Sequence, residues 1–216
     1  MNIKLAIFDL DGTTLDTLQD LADAVNHALR AQGLAEHTAD EVRSYIGNGI
    51  RNLIDRSVPA DTPEEVTALV FAAFKSYYAM HCKDKTCPYP GVMQMLERLK
   101  KAGMKIAILS NKADFAVQEL CAQYFPGMID YAAGEKAGVP KKPSPDSVYA
   151  LLKTMGCRAE EAVYIGDSEV DILTAENAGM KSLIVDWGFR SREQLVQAGA
   201  KTIFSTTEEL TEVLLK

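Results

Sequence analysis

The sequence predicts an α/β fold, a three-layer core with a central parallel β-sheet into which a small all-helical domain is inserted. Residues 4–8 form an apolar run that is too short for a helix and suits a strand buried on both faces. After residue 89, short apolar strands alternate with helices, a pattern typical of parallel sheets with right-handed crossovers. Between residues 16 and 82 the periodicity is helical throughout.

In that helical stretch the apolar spacing predicts four helices, over residues 15–33, 38–46, 50–57 and 64–81. Thr38 and Glu41 have the spacing of a capping box, so they are expected to open the second helix. Pro63 suits the first turn of the fourth helix. The change of periodicity sets the predicted domains, a core of residues 1–15 and 85–216 and a helical domain of residues 16–84.

The predicted core continues with alternating elements. Helices are expected over residues 92–102, 114–124, 147–155, 171–178, 191–197 and 207–215. Strands are expected over residues 104–109, 128–133, 162–165 and 182–185, with a short apolar stretch at residues 201–204.

The composition narrows the class of protein. A net charge of −7 and a pI near 5.1 argue against nucleic acid as a partner, because binding a phosphate backbone needs a basic face. The sequence has no apolar run of membrane-spanning length, so no membrane partner is expected. Its four cysteines are scattered, and it opens directly on a strand without room for a signal peptide, so we expect a cytoplasmic protein.

Candidate site residues follow the first two strands. Asp9 and Asp11 come directly after the first strand, so they are expected at the carboxyl edge of the sheet, where open α/β folds bind ligands. By themselves they would also suit an ordinary turn. Ser110 and Asn111 follow the second strand and offer a hydroxyl and amides to an anion. The alternative for this pair is a helix N-cap.

Two later segments add charge. Lys142 lies in a proline-rich segment, which suits a cation held in one direction to offset carboxylates and hold a phosphate. Asp167 stands at the tip of the strand over residues 162–165, and Asp171 lies one helical turn further. Carboxylates gathered there would repel one another unless they share a hard divalent cation, and Mg²⁺ prefers oxygen ligands.

These segments, Asp9-Leu-Asp11-Gly-Thr13, Leu109-Ser110-Asn111, Lys142-Pro143 and Gly166-Asp167-Ser-Glu-Val-Asp171, resemble the four motifs of the haloacid dehalogenase superfamily, in the same order. The resemblance covers essentially the whole chain. It implies a Rossmann-like core with a helical cap domain and a Mg²⁺-dependent phosphatase. The presence of Asp11 favours phosphoryl transfer, because the dehalogenases of the superfamily lack an acid two positions after the nucleophile.

The resemblance also implies roles for the core residues. Asp9 would be the nucleophile that forms an aspartyl-phosphate, and Asp11 would be the general acid and base. Asp9, the backbone carbonyl of Asp11 and Asp167 would hold Mg²⁺, while Asp171 would orient Lys142 or a water on the metal. The phosphate-binding set would comprise Ser110, Lys142 and the backbone amides near Asp11, Gly12 and Asn111.

The helical domain is expected to carry the specificity. Residues 45–51 resemble the cap segment of phosphoglycolate phosphatases, with Asn48 and Arg51 as candidate substrate-binding residues; Arg51 would bind a carboxylate. A turn with a surface arginine is the alternative. We expect a small phosphate ester as substrate, with phosphoglycolate first, and a monomer or homodimer. A β-phosphoglucomutase-like or pyrophosphatase activity, or a phospho-accepting regulatory module, are the alternatives.

Overall fold

A computed structural model of the chain describes residues 3–216 and confirms the predicted α/β class. Residues 1 and 2 of the predicted core domain lie outside this range. The strands are Leu5–Phe8 (β1), Leu15–Asp16 (β2), Cys87–Pro88 (β3), Lys105–Ala113 (β4), Tyr131–Glu135 (β5), Ala162–Gly166 (β6), Lys181–Val185 (β7) and Ile203–Phe204 (β8). The helices are Leu18–Ala31 (α1), Ala39–Tyr45 (α2), Gly49–Ser57 (α3), Glu64–His81 (α4), Val92–Lys101 (α5), Asp114–Tyr124 (α6), Asp146–Met155 (α7), Glu169–Asn177 (α8), Arg192–Gln197 (α9) and Thr207–Leu214 (α10).

The main sheet has the strand order β5-β4-β1-β6-β7-β8, and its paired strands run parallel. Strand β1 therefore lies between β4 and β6, and Phe8 is in register with both Ile108 and Ile165. All four residues of β1 are buried, as expected for a strand covered on both faces by helices. This order brings the carboxyl ends of the three strands that carry the motif residues side by side.

Most predicted elements agree with the observed ones within a few residues, and the capping box of Thr38 and Glu41 is present. Strand β4 is the main exception, because it continues to Ala113 instead of ending at residue 109. Its register with β5 shifts between Leu109 and Ala113, so it passes Ser110 and Asn111 as an irregular strand. The N-cap of α6 is Ala113, so the alternative in which Ser110 and Asn111 cap that helix is wrong.

The chain divides into two compact units, residues 1–15 with 88–216 and residues 16–87. The second border falls at residues 87 and 88, slightly later than the expected 84 and 85. Strands β2 and β3 lie at these borders and form a separate two-stranded sheet. None of the helices within residues 3–216 combines the length and the apolar character needed to cross a membrane.

The helical unit is built around helices α1 and α4, which pack against each other. Val25 of α1 and Val70 of α4 are fully buried, and the rings of Phe74 and Tyr78 stack with centroids 5.3 Å apart. The unit also buries Asp20 of α1. Its carboxylate accepts hydrogen bonds from the backbone amides of Lys85 and Thr86 and from the Thr86 hydroxyl, which fastens the end of the unit to α1.

We expect Asp20→Ala to lower the free energy of unfolding by about 3 kcal/mol, because the two buried donors of Thr86 and the Lys85 amide lose a charged acceptor. Urea denaturation followed by circular dichroism would measure the change. Asp23→Ala is the matched control on the same helix, since Asp23 forms an exposed ion pair with the Lys85 ammonium and should contribute less than about 1 kcal/mol. Equal losses for the two variants would contradict this assignment.

Candidate active site

Asp9 follows the last residue of β1 and lies at the carboxyl edge of the sheet, where its backbone amide bonds the carbonyl of Ile165 at 2.8 Å. One oxygen of its carboxylate accepts from the Leu10 amide at 2.7 Å. The same oxygen lies 3.1 Å from the Lys142 ammonium, whose side chain is only 4% exposed. The structure thus brings together the predicted nucleophile and the predicted cation, which are far apart in sequence.

Lys142 also donates to Asp171 Oδ1 at 2.8 Å, and its ammonium lies 5.7 Å above the ring of the buried Tyr164. The remaining oxygen of Asp171 accepts from the hydroxyl and the amide of Ser168 at the start of α8. A single buried ammonium therefore links the carboxylate that follows β1 with a carboxylate in the first turn of α8. Such a charge balance is necessary because an isolated buried carboxylate is costly.

Burial and crowding perturb the titration of these groups. Burial raises the pKa of the Asp9 carboxyl to about 7 in spite of the opposing Lys142 ammonium, and the Asp171 carboxylate contributes to the rise. Burial likewise raises the pKa of Asp167 well above its usual range, with Asp171 and Asp9 adding to the effect. Burial acts to lower the pKa of Lys142, but the surrounding carboxylates raise it well above its ordinary value. Lys142 is accordingly charged at neutral pH.

Asp167 is held from two sides. Its Oδ1 accepts from the Thr13 hydroxyl at 3.0 Å, and its Oδ2 accepts from the Phe189 backbone amide at 2.7 Å. Gly12 allows this arrangement, because a Cβ there would lie 2.3 Å from Asp167 Oδ2, and because its φ of +84° suits glycine. Thr13 and Phe189 were not predicted as site residues. The donor of Phe189 is its backbone amide, which the sequence cannot indicate because nearly every residue has one.

Asp11 contacts a cation that the sequence reasoning missed. The ammonium of Lys112 lies 2.8 Å from Asp11 Oδ1, and the Lys112 side chain is only 3% exposed. A lysine directly after Ser110 and Asn111, at the end of the apolar run over residues 106–109, was the available signal. It was overlooked because β4 was expected to end before it.

Ser110 and Asn111 are both buried at the irregular end of β4. The Ser110 hydroxyl accepts from the Lys112 amide at 3.2 Å. The Asn111 side chain exchanges two hydrogen bonds with the backbone of Lys142, donating at 3.0 Å and accepting at 2.9 Å. Asn111 therefore fixes the position from which Lys142 reaches Asp9.

The carboxylates of this site fit a hard divalent cation. Oxygen atoms of Asp9, Asp167 and Asp171 lie within 4.8 Å of one another, and all three residues are buried. Oxygen donors and accumulated negative charge suit Mg²⁺. Asp171 accepts three hydrogen bonds, from Lys142 and from the hydroxyl and amide of Ser168. Asp9 receives two donors, both on Oδ1, and Asp167 accepts two hydrogen bonds, so these two carboxylates keep more lone-pair capacity for a cation.

Asn48 and Arg51 belong to the helical unit, not to the unit that holds the carboxylates. The backbone carbonyl of Asn48 accepts from the Asn52 side chain at 3.0 Å. The Arg51 guanidinium bonds Asp55 at 2.8 Å and Glu64 at 2.9 Å. These acidic partners raise the pKa of Arg51 further, so its charge is permanent.

Comparison with known proteins places the chain in a family. The family model of haloacid dehalogenase-like hydrolases matches residues 6–185. Phosphoglycolate phosphatase of Vibrio parahaemolyticus is 34% identical over 222 residues, which cover 99% of this chain and 96% of the relative. The phosphoglycolate phosphatase of Aquifex aeolicus is 34% identical over 188 residues, 87% of this chain and 86% of the relative. A solved structure from Lactobacillus delbrueckii subsp. bulgaricus is 38% identical, with a TM-score of 0.95 and 99% of both chains covered.

With carboxylates gathered at the carboxyl edge of a parallel sheet, and with these relatives, the chain is a phosphatase, a hydrolase of phosphoric monoesters. It belongs to the haloacid dehalogenase-like hydrolases, in their phosphoglycolate phosphatase-like branch.

Proposed function

We propose that the protein hydrolyses a small phosphate monoester, with phosphoglycolate as the first candidate, through an aspartyl-phosphate on Asp9 and with Mg²⁺ as cofactor. The observation that carries the proposal is the contact of Asp9 with the buried Lys142 ammonium inside a cluster of carboxylates. For attack on a phosphate ester, a carboxylate needs a nearby positive charge that can also bind the oxygens of the phosphoryl group. The Lys142 ammonium supplies this charge at the carboxyl edge of the sheet.

In the first step an oxygen of Asp9 attacks phosphorus, and the bond from phosphorus to the ester oxygen breaks. Asp11 donates a proton to the departing oxygen, so the product leaves as a neutral alcohol. The buried ammonium of Lys112 holds the Asp11 carboxylate on one side, which gives this acid and base a defined starting position.

In the second step water attacks the phosphorus of the aspartyl-phosphate while Asp11 removes a proton from the water. The bond from phosphorus to Asp9 breaks, which releases inorganic phosphate, restores the Asp9 carboxylate and leaves Asp11 protonated for the next turnover. Asp11 thus returns to its initial protonation state after each turnover.

The phosphoryl oxygens would be bound by Lys142, the Ser110 hydroxyl and the backbone amides of residues 11, 12 and 111. Mg²⁺ would be held by Asp9, the backbone carbonyl of Asp11 and Asp167. When bound, it neutralises charge on the carboxylates and on the phosphoryl group. Asp171 orients Lys142 through their 2.8 Å hydrogen bond.

We propose that the helical unit, residues 16–87, is the cap that carries specificity. The relatives from Vibrio parahaemolyticus and Aquifex aeolicus are phosphoglycolate phosphatases, and the similarity to the first covers 99% of this chain, the helical unit included, which supports that substrate. The four free cysteines support a cytoplasmic location. A monomer or homodimer remains the proposed assembly.

The test is phosphate release from a panel of small phosphate esters and pyrophosphate, with Mg²⁺ or with chelator. We expect metal-dependent release that is highest for phosphoglycolate. Release of an isomerised sugar phosphate in place of inorganic phosphate would favour a mutase. A phosphorylated Asp9 that persists without release would favour a phospho-accepting regulatory module and overturn the proposal.

Arg51→Ala tests whether the helical unit reads a substrate carboxylate. We expect the KM for phosphoglycolate to rise about tenfold or more while the KM for an ester without a carboxylate stays unchanged, because a bidentate guanidinium contact is lost. Arg56→Ala on the same helix is the control, since the Arg56 guanidinium bonds only a backbone carbonyl at 3.5 Å among the described contacts. An equal rise for both esters would show that Arg51 serves the fold through Asp55 and Glu64.

A further inference from the structure

The segment that follows β7, residues 187–190, contacts the site without contributing a predicted ligand. We propose that this segment, with Trp187 as its anchor, is a positioning element for Asp167 and sets the affinity of the carboxylate cluster for a divalent cation. The inference rests on the proposed function, because Asp167 is one of the proposed Mg²⁺ ligands. It assigns a role to residues that the four motifs do not include.

Asp167 is oriented by two hydrogen bonds. The Phe189 backbone amide donates to Asp167 Oδ2 at 2.7 Å. The Thr13 hydroxyl donates to the other oxygen at 3.0 Å. With one donor on each oxygen, the carboxylate plane of Asp167 has one favoured orientation. Asp167 is only 1% exposed, so water does not compete for these bonds.

Trp187 contacts the loop after β1, which carries the proposed catalytic acids. Its indole N–H donates to the backbone carbonyl of Thr13 at 3.1 Å. The contacts therefore form a closed ring, from Trp187 to Thr13, from Thr13 to Asp167, from Asp167 to Phe189 and back along the chain. A change at Trp187 is transmitted to Asp167 through Thr13.

Gly188 lies close to Gly12 and Asp167. A Cβ at this position would lie 2.2 Å from the carbonyl oxygen of Gly12 and 2.4 Å from Asp167 Oδ2. Because one of these neighbours is backbone, a side chain could be accommodated only if the loop after β1 moved. Glycine at 188 thus allows the segment to lie directly on the site.

Arg190 fixes the other end of the segment. Arg190, whose side chain is only 9% exposed, bonds both carboxylate oxygens of Glu169, at 2.8 and 3.1 Å. Glu169 is the first residue of α8 and lies two residues after Asp167. The segment is therefore fixed both to the loop after β1 and to the helix that begins beside Asp167.

The fixed orientation of Asp167 favours binding of a divalent cation by the carboxylate cluster. A ligand that is already oriented loses little freedom when the cation binds, and loss of the groups that orient a ligand typically weakens binding about 10- to 100-fold. Trp187→Phe keeps the aromatic bulk and removes the N–H donor. We expect it to raise about tenfold the Mg²⁺ concentration that gives half of the maximal rise in melting temperature. The kcat at saturating Mg²⁺ should stay within about twofold of that of the wild type.

The experiment titrates the phosphate-free protein with Mg²⁺ alone and follows its melting temperature, which rises with the occupancy of the site. Phosphate release at each Mg²⁺ concentration separates the effect on metal affinity from that on kcat. Tyr149→Phe is the matched control, because the exposed Tyr149 hydroxyl of α7 also donates to a backbone carbonyl at 3.1 Å, that of Asn177 at the end of α8. The control should titrate like the wild type.

Thr13→Val provides a second, independent variant, because it removes the other donor on Asp167 and leaves Trp187 intact. If both residues act through Asp167, the double variant should lose less affinity than the product of the two single losses. Fully independent losses, or a Trp187→Phe protein that titrates like the wild type, would overturn the inference and leave the proposed function standing. A wild-type protein that releases phosphate equally with Mg²⁺ and chelator would overturn both.

Discussion

Asp9→Asn is expected to abolish phosphate release, with a loss of at least about 10⁴-fold, and to leave the fold intact. The amide cannot serve as the nucleophile that accepts the phosphoryl group. It can still accept the hydrogen bond from the Leu10 amide, so the local structure has no reason to change. Phosphate release at saturating Mg²⁺ and the circular dichroism spectrum together check this expectation.

The same variant should also be more stable than the wild type in chelator at pH 8. The folded protein raises the pKa of Asp9 from 3.8 to about 7, chiefly through burial. A raised pKa means that the folded state holds a proton that the unfolded state releases, so its contribution is complete below pH 4 and is lost as the pH rises through 7. Charging Asp9 therefore costs about 4 kcal/mol at pH 8.

Asparagine carries no such cost. We expect the melting temperature of the Asp9→Asn protein in chelator to exceed that of the wild type by at least about 5 °C at pH 8, and the difference to shrink toward pH 4. Melting curves across this pH range would measure it. A difference that is absent, or independent of pH, would show that charging Asp9 does not destabilise the folded protein. Retained activity would show that Asp9 is not the nucleophile.

Lys142→Met should have the second large effect, on stability as well as on activity. Methionine fills the space of the lysine stem but leaves Asp9 and Asp171 without their ammonium. Breaking a buried ion pair by removing one partner typically costs 3–5 kcal/mol. Loss of a donor to the phosphoryl group should lower kcat by about 10³-fold. Urea denaturation in chelator and phosphate release at saturating Mg²⁺ measure the two effects.

A double variant separates charge balance from phosphate binding. Lys142→Met with Asp171→Asn removes one of the two uncompensated carboxylates, so we expect it to recover part of the stability and none of the activity. Lys100→Met is the surface control, since Lys100 pairs with Asp130 where both side chains are 31% exposed, and it should cost less than about 1 kcal/mol. Recovered activity in the double variant would mean that Lys142 only neutralises charge.

The sequence alone determined the fold class and the location of the main charged groups. Strand β1 is a short apolar run that ends in acids, and the alternation of strands and helices after residue 89 requires a parallel sheet. In such a sheet the carboxyl ends of neighbouring strands share one edge, so Asp9 and Asp167 were expected near each other if their strands were neighbours, and β1 does pair with β6. These inferences depend on local periodicity and on general rules of connection, which one sequence can reveal.

The end of β4 could not be read in that way. Residues 110–112 are polar and suggest a loop, yet the strand continues because Ala113 pairs with Glu135 of β5 and because Asn111 is bound to the backbone of Lys142. These partners are distant in sequence and follow no periodic pattern. The misplaced end of β4 is also why Lys112, the partner of Asp11, was overlooked.

The tertiary structure alone decided which groups hold the carboxylates in place. Asp167 is oriented by the Thr13 hydroxyl and by the backbone amide of Phe189, and Lys142 is positioned between Asp9 and Asp171. The physical reason is that burial makes every unsatisfied polar group costly, so each carboxylate must find a donor wherever the packed chain offers one. Sequence periodicity reports which face of an element is buried, whereas the identity of a donor from another element depends on how the elements pack.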